Sequence, residues 1–264
     1  MSDVLTYSSY LQLDELLKLQ TQKSLGLHGP EHDEMLFIVI HQIYELWFKL
    51  LIHELDALQQ HLYQNEAVRV SHTTSRIQAI LRTIILQIDV LETMTPLEFN
   101  TFRSFLGSAS GFQSLQFREL EFILGSKRQA HVVDTPKGQY GIDELRARYA
   151  QPTLWDAFLA YLAANDYPVP ATLLERDVKQ VVQASPELQE VLLTAYRSDV
   201  VVCGVCENLL DIDEKLQEWR YRHLKMVERI IGSKPGTWGS AGTQYLITTL
   251  KPFFPDLWAM RTLL

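Results

Sequence analysis

The stretch HDEMLFIVIHQIYELWFKLLIHELDALQQHLY, residues 32–63, decides the fold class. Its apolar residues return at spacings of three and four, and neither proline nor glycine interrupts it, so the spacing predicts one long helix. Asp33 or the preceding GPEH stretch offers a cap for its start. Such a helix must bury its apolar stripe on other helices, from its own chain or from a second copy.

The flanks read the same way. SHTTSRIQAILRTIILQIDVLETM carries a second helical pattern with Ser71 as a candidate cap, and TPLEFNTFRSFL opens on Thr95–Pro96, a cap followed by a first-turn proline. GSASGFQSLQFRELEFILG is a small-residue loop entering a further helix. Shorter helices are expected in TLWDAFLAYLAAN and TLLERDVKQVVQ, and from Ser185 the pattern runs almost unbroken to Gly232. The segment SKRQAHVVDTPKGQYGIDELRARY is expected to be exposed and mobile near its glycines and proline. Period-two patterns are scarce, and the β-branched run VVVC lies inside a longer helix-period segment. The expectation is an all-α fold: residues 1–264 as a single large helical-bundle domain with long helices, no linker and no internal repeat, in an intertwined oligomer.

The 264 residues are 47% hydrophobic, enough to fill a substantial core. The 32 acidic and 24 basic residues give a net charge of -8, which removes any global attraction to nucleic acid or anionic lipid. No apolar run reaches the roughly 20 residues of a bilayer span, and MSDVLTYSSY lacks the basic and apolar blocks of a secretory signal. A cytoplasmic protein with no membrane and no nucleic-acid partner is expected. Cys203 and Cys206 have redox or metal spacing, but no second pair exists and their flanks look helical, so they read as core cysteines.

Three features carry chemistry. His41 lies four residues after Phe37 and four before Glu45, on one helix face. Arg103 lies beside Phe99 and Phe102, with Ser110 just beyond in a glycine-containing turn. His223 lies near the end of the last long helix, before GSKPGTWGSAG. Each has a plain structural reading: a hydrogen-bonded core histidine, a paired arginine, a tight loop using glycine's freedom. The functional readings are equally specific. A neutral imidazole can ligate haem iron while its other N–H is held, and a guanidinium fixed between aromatic rings makes a two-pronged contact with a carboxylate. Together they describe an amino-acid or carboxylic-acid pocket. There is no GxGxxG, P-loop lysine, HExxH, nucleophile elbow or di-iron Glu-x-x-His pair. The residues alone leave a catalytic and a structural or partner-binding helical protein both open.

TYSSYLQLDELL, HDEMLFIVIHQIYELWFKLLIHEL, FRSFLGSASGFQSLQFRELEFILG and WRYRHLKMVERIIGSKPGTWGSAG closely resemble the tryptophan 2,3-dioxygenase family, in family order and across nearly the whole chain, to the terminal FFPDLW. The resemblance implies an all-helical homotetramer, a dimer of dimers, that binds haem b and uses O2 to open the indole C2–C3 bond of L-tryptophan, giving N-formylkynurenine in tryptophan catabolism. It implies that His223 is the iron ligand and that His41 sits on the other face of the haem near the indole. Phe37 and Phe99 become walls of the indole pocket, Arg103 the grip on the substrate carboxylate, Thr237 the contact to its ammonium group, and Ser110 a neighbour of the haem edge. Tyr7 and Tyr10, within residues 1–20, become contributions to a neighbouring subunit's active site.

The chain also departs from the family pattern GTGGSSG. Here GTWGSAG places Trp238 where glycine is usual and Ala241 where serine is usual, and Ser8 stands where glycine is common. A tryptophan adds a large rigid surface, and a displacement of about 1 Å can divert a positioned reaction. If Trp238 lines the substrate site, the alternative activity is haem-dependent mono-oxygenation or hydroxylation of a substituted tryptophan, such as β-methyltryptophan, in secondary metabolism. A non-catalytic haem-binding protein is the remaining reading.

Overall fold

The computed structural model describes residues 4–133, 140–234 and 243–264. Among these residues the regular structure is helical, with no named strand. The N-terminal half contains α1 (Tyr7–Leu11), α2 (Leu13–Leu16), α3 (His32–Tyr63), α4 (Ala67–Leu86), α5 (Ile88–Leu91), α6 (Pro96–Phe102) and α7 (Leu115–Ile123). It is followed by α8 (Ala130–Val133), α9 (Ile142–Tyr149), α10 (Leu154–Ala164), α11 (Ala171–Leu174), α12 (Pro186–Ser198), α13 (Val200–Ile231), α14 (Thr243–Thr248) and α15 (Pro255–Ala259).

The helix read from the opening stretch has the expected span, His32–Tyr63. Its buried ladder, Ile40, Tyr44, Phe48, Leu51, Leu55, Leu58 and Leu62, steps by threes and fours and faces one contiguous core. Helix α3 packs on α4, α7 and α10, and α4 packs in turn on α13. By length and composition α3 is the one described helix apolar enough to cross a bilayer, yet this ladder commits it to its helical neighbours. In the same core, Trp155 of α10 stacks on Phe254 with centroids 5.5 Å apart, and both are buried.

Local capping explains where several expectations held and where they failed. Thr95 caps α6 as expected: its side chain accepts from the Glu98 amide, and the Glu98 carboxylate accepts from the Thr95 amide at 2.7 Å. The N-cap position of α3 falls in the GPEH stretch, at Glu31, rather than at Asp33, and no side-chain hydrogen bond caps it. Ser71 is not a cap either, because α4 already starts at Ala67. The run from Ser185 to Gly232 is two helices, broken at Asp199, whose carboxylate accepts from the Val201 and Val202 amides and starts α13. The helix expected in 172–183 shrinks to Ala171–Leu174. Beyond it Arg176 turns to pair with Asp156 at 2.6 Å, and the Asp177 side chain accepts from the Lys179 amide. The segment 126–149 is not simply exposed. Ile142 and Leu145 are buried, and the Lys127 ammonium, also buried, donates to the carbonyls of Arg148, Tyr149 and Gln151 at the end of α9. Its residues 134–139 lie outside the described residues.

Cys206 is buried, Cys203 is partly buried, and neither is bridged, so both belong to the helix wall. Burial pushes the Cys206 thiol up to about 12, which keeps it protonated. No cluster of three potential metal ligands exists among the described residues.

Two buried side chains of α13 return the C-terminal segment to the core. Asp213 accepts from the Phe253 and Phe254 amides and the Trp258 indole, and Arg220 donates to the Thr249 carbonyl at 2.7 Å. They stand two turns apart on one helix face and precede His223 by ten and three residues.

Candidate active site

Helices α3, α6, α7, α13 and α14, with the connection between α6 and α7, enclose a mostly apolar cavity of about 260 Å³. It brings together Phe37, His41, Phe99, Arg103, Ser110 and His223, residues separated by up to 186 positions in sequence (37 to 223).

At one end, Phe37 and Phe99 face each other at 6.0 Å, and Phe102 closes edge-on against both, at 5.6 Å and 5.4 Å. The capped start of α6 fixes this aromatic corner, and the Arg103 guanidinium lies 6.0 Å from the Phe99 ring centre. His41 lies one turn after Phe37, ring to ring at 4.1 Å, with Nδ1 2.7 Å from the Phe37 carbonyl. A carbonyl only accepts, so Nδ1 carries the hydrogen and Nε2 of the neutral ring is left as an acceptor. Burial lowers the His41 pKa, outweighing the Phe37 carbonyl and the Glu45 carboxylate, which raise it. Glu45, one turn further on, is tied to α7 by the Gln116 amide at 2.8 Å.

Across the cavity His223 stacks on Trp219 at 5.2 Å with planes 10° apart. Trp219 is wedged against Phe117 at 5.1 Å and Phe48 at 6.0 Å, so the α13 surface under His223 is braced by α3 and α7. Burial, then the proximity of His41, pushes the His223 pKa down to about 4. Both imidazoles are therefore neutral at neutral pH and near enough to interact across the same space.

A charged edge completes the cavity. The Glu121 carboxylate receives Arg118 at 2.5 Å and Arg220 at 2.8 Å, all three side chains buried. Burial works to raise the Glu121 pKa, but the two guanidiniums outweigh it and hold it below the usual carboxylate value. Two cations share one anion, and Arg118 Nε is buried without a hydrogen-bond partner. Sequence reading passed over these residues and Trp219. Charges three apart on a helix usually face solvent, but FRELEFIL sets Arg118 and Glu121 among Phe117, Leu120, Phe122, Ile123 and Leu124, and that apolar setting, interrupted by Glu119, was the available signal.

The chain matches the family pattern described as tryptophan 2,3-dioxygenase over residues 1–144 and 183–264. The chain belongs to the tryptophan 2,3-dioxygenase family. A protein of that name from Herpetosiphon aurantiacus is 57% identical over 99% of both chains. One from an Anaeromyxobacter species is 51% identical over 98% of this chain and 96% of its own. One from Bacillus cereus is 42% identical over 98% and 92%. The family match spans both histidine-bearing helices and the Arg103 segment. Ser110 lines the cavity and caps the short turn Gly111–Gln113. Tyr7 and Tyr10 do not line it: they are 77% and 71% exposed in this single copy. Thr237, Trp238 and Ala241 lie outside the described residues.

Proposed function

We propose that the protein is a haem-dependent oxygenase that opens the indole C2–C3 bond of L-tryptophan with O2 to give N-formylkynurenine. The observation that carries this reading is the pair of neutral histidines, His41 and His223, facing one apolar cavity beside Phe37, Phe99 and Arg103. The names of the relatives, which match over nearly their whole length, favour ring opening over mono-oxygenation.

The cavity fits haem b on two counts. His223 is held neutral, so a ring nitrogen is available to iron with no proton to displace, and Trp219 fixes the ring plane. Arg118 and Arg220 share a single carboxylate and Arg118 Nε is unpartnered, a buried positive excess suited to the two carboxylates of haem. When bound, haem supplies the oxygen chemistry.

The chain's own contribution is placement. Phe37 and Phe99 give flat apolar walls to the indole. His41 Nε2 accepts the indole N–H, and its depressed pKa makes it an orienting acceptor rather than a strong base. Arg103 pairs with the substrate carboxylate and Thr237 with the ammonium group, so that an α-amino acid is held at both ends. Ser110 would lie near the haem edge. Residues 1–264 form one haem-binding domain, and residues 1–20 carry Tyr7 and Tyr10 into a neighbouring subunit's pocket within a homotetramer. The exposure of both tyrosines, and a cavity to which none of the described residues before Phe37 contributes, support that exchange.

The test is product identification from purified haem-loaded protein and L-tryptophan. N-formylkynurenine is expected; a hydroxylated tryptophan with its ring intact overturns the proposed reaction.

A further inference from the structure

The N-terminal segment has two parts of opposite character. Among residues 4–19 none is buried, and α1 and α2 leave Leu5, Tyr7, Tyr10 and Leu17 largely exposed. Residues 19–31, in contrast, are tied to the start of α3. The Gln42 amide donates to the Leu19 carbonyl, and the Gln20 amide donates to Gln42 at 2.6 Å. At the centre is Glu34, 2% exposed. One carboxylate oxygen accepts from the Lys23 amide at 2.7 Å, and the other accepts from the Ser24 amide at 2.9 Å and the Ser24 hydroxyl at 2.5 Å. That hydroxyl accepts in turn from the Glu31 amide at 2.8 Å, and the Gln22 side chain donates to the Glu31 carbonyl. The turn closes where a Cβ on Gly26 would sit 2.7 Å from the Gly29 carbonyl oxygen, which requires glycine.

A buried carboxylate is retained only when its oxygens are satisfied, and here the donors come from the segment that leads into the exposed arm. Glu34 stands one turn before Phe37 and two before His41, so the root of the arm is locked to the helix that bears one wall of the subunit's own pocket. We propose that Glu34 is a positioning residue for the neighbouring subunit's site: by fixing residues 19–31 to α3, it sets where the arm bearing Tyr7 and Tyr10 leaves one copy to complete the pocket of a second. This rests on the shared pocket of the proposed function. Holding the root lowers the ordering cost of docking the arm and raises its effective concentration at the second copy. Loss of the clamp therefore acts on substrate affinity in the neighbour and leaves the haem ligand in place.

Trans-complementation separates this role from a local effect of Glu34 on its own Phe37 and His41. Full-length chains carrying Glu34→Gln and Arg103→Ala are co-expressed with different tags, and haem-loaded mixed oligomers are isolated through both tags. In a two-fold pair, the chain with intact Arg103 receives its arm from the chain with intact Glu34, so one site of the two is complete. Glu34→Gln alone is expected to raise KM for tryptophan on the order of tenfold with unchanged haem content, and the mixed pair to recover about half the wild-type kcat/KM. Ser24→Ala, which removes only the hydroxyl, provides a milder second variant for the same experiment. A Tyr7→Ala and Arg103→Ala mixture runs alongside. If that mixture recovers and the Glu34→Gln mixture stays at the mean of its parents, the shared pocket stands and the role of Glu34 is overturned. If neither recovers, the shared pocket itself is overturned, and the role of Glu34 with it.

Discussion

The helix-borne half of the proposed site and its proposed arm-borne half are built on opposite principles. Phe37, His41, Trp219 and His223 sit on α3 and α13, each 32 residues long and packed along its length into the core. Tyr7 and Tyr10 both sit on α1, a five-residue helix that buries nothing. Groups that must hold an iron ligand and an aromatic plane need rigid support, whereas groups that complete a pocket around an arriving substrate come from segments with few contacts. The helix half should therefore fail completely when altered, and the arm half should fail by degree.

The largest effect is expected at His223. His223→Ala should abolish histidine ligation of haem and all turnover; an unchanged five-coordinate histidine spectrum would place the ligand elsewhere and remove α13 from the rigid half. Arg103→Ala comes next. Loss of a charge-assisted pair costs about 3 kcal/mol, roughly a hundredfold in kcat/KM. Tryptophan should suffer this loss while its decarboxylated analogue does not, and equal losses would refute the carboxylate contact.

A smaller effect tests the burial of the cavity groups through pH. The His41 pKa is lowered by burial from 6.5 in the folded chain, so as pH falls through 6.5 the unfolded chain takes up a proton that the folded chain refuses. Haem-free protein should thus keep its full stability above pH 6.5 and lose it below, by at most about 1.4 kcal/mol per pH unit for this one group. Glu121 adds a second loss below pH 4.5, because its lowered pKa favours the folded state only while it is ionised. Denaturant melts from pH 8 to 4 read both; His223, pushed down to about 4, adds to the first loss over the same window, so His41→Gln should reduce that loss by the His41 share and leave the His223 share. The smallest change is Thr95→Ala, which removes the α6 cap at about 1 kcal/mol and loosens the corner that holds Phe99.

What could be read from sequence follows the same division. Periodicity over 32–63 defines α3 from end to end because its burial is dictated by its own pattern, and Thr95–Pro96 declares a helix start because the cap chemistry is local. The break at Asp199 escaped because the apolar period continues across it, although an aspartate ahead of VVVC is itself a cap signal. Arg176 and Lys127 were opaque for another reason: their partners, Asp156 and the carbonyls of residues 148–151, are brought near only by the tertiary fold. Phe37, His41, Phe99, Arg103, Ser110 and His223, singled out from the sequence, line one cavity. Arg118 and Glu121, three apart on α7, read as an ordinary helical ion pair, and Arg220, drawn from α13, joins them only through the tertiary fold.

The central claim is that the two histidine-bearing helices position L-tryptophan for insertion of both atoms of O2. Its most direct test is the mass of the product formed from L-tryptophan and isotopically labelled O2 by the haem-loaded protein. The account predicts a ring-opened product carrying two labelled oxygen atoms; one labelled atom in an intact indole would contradict it.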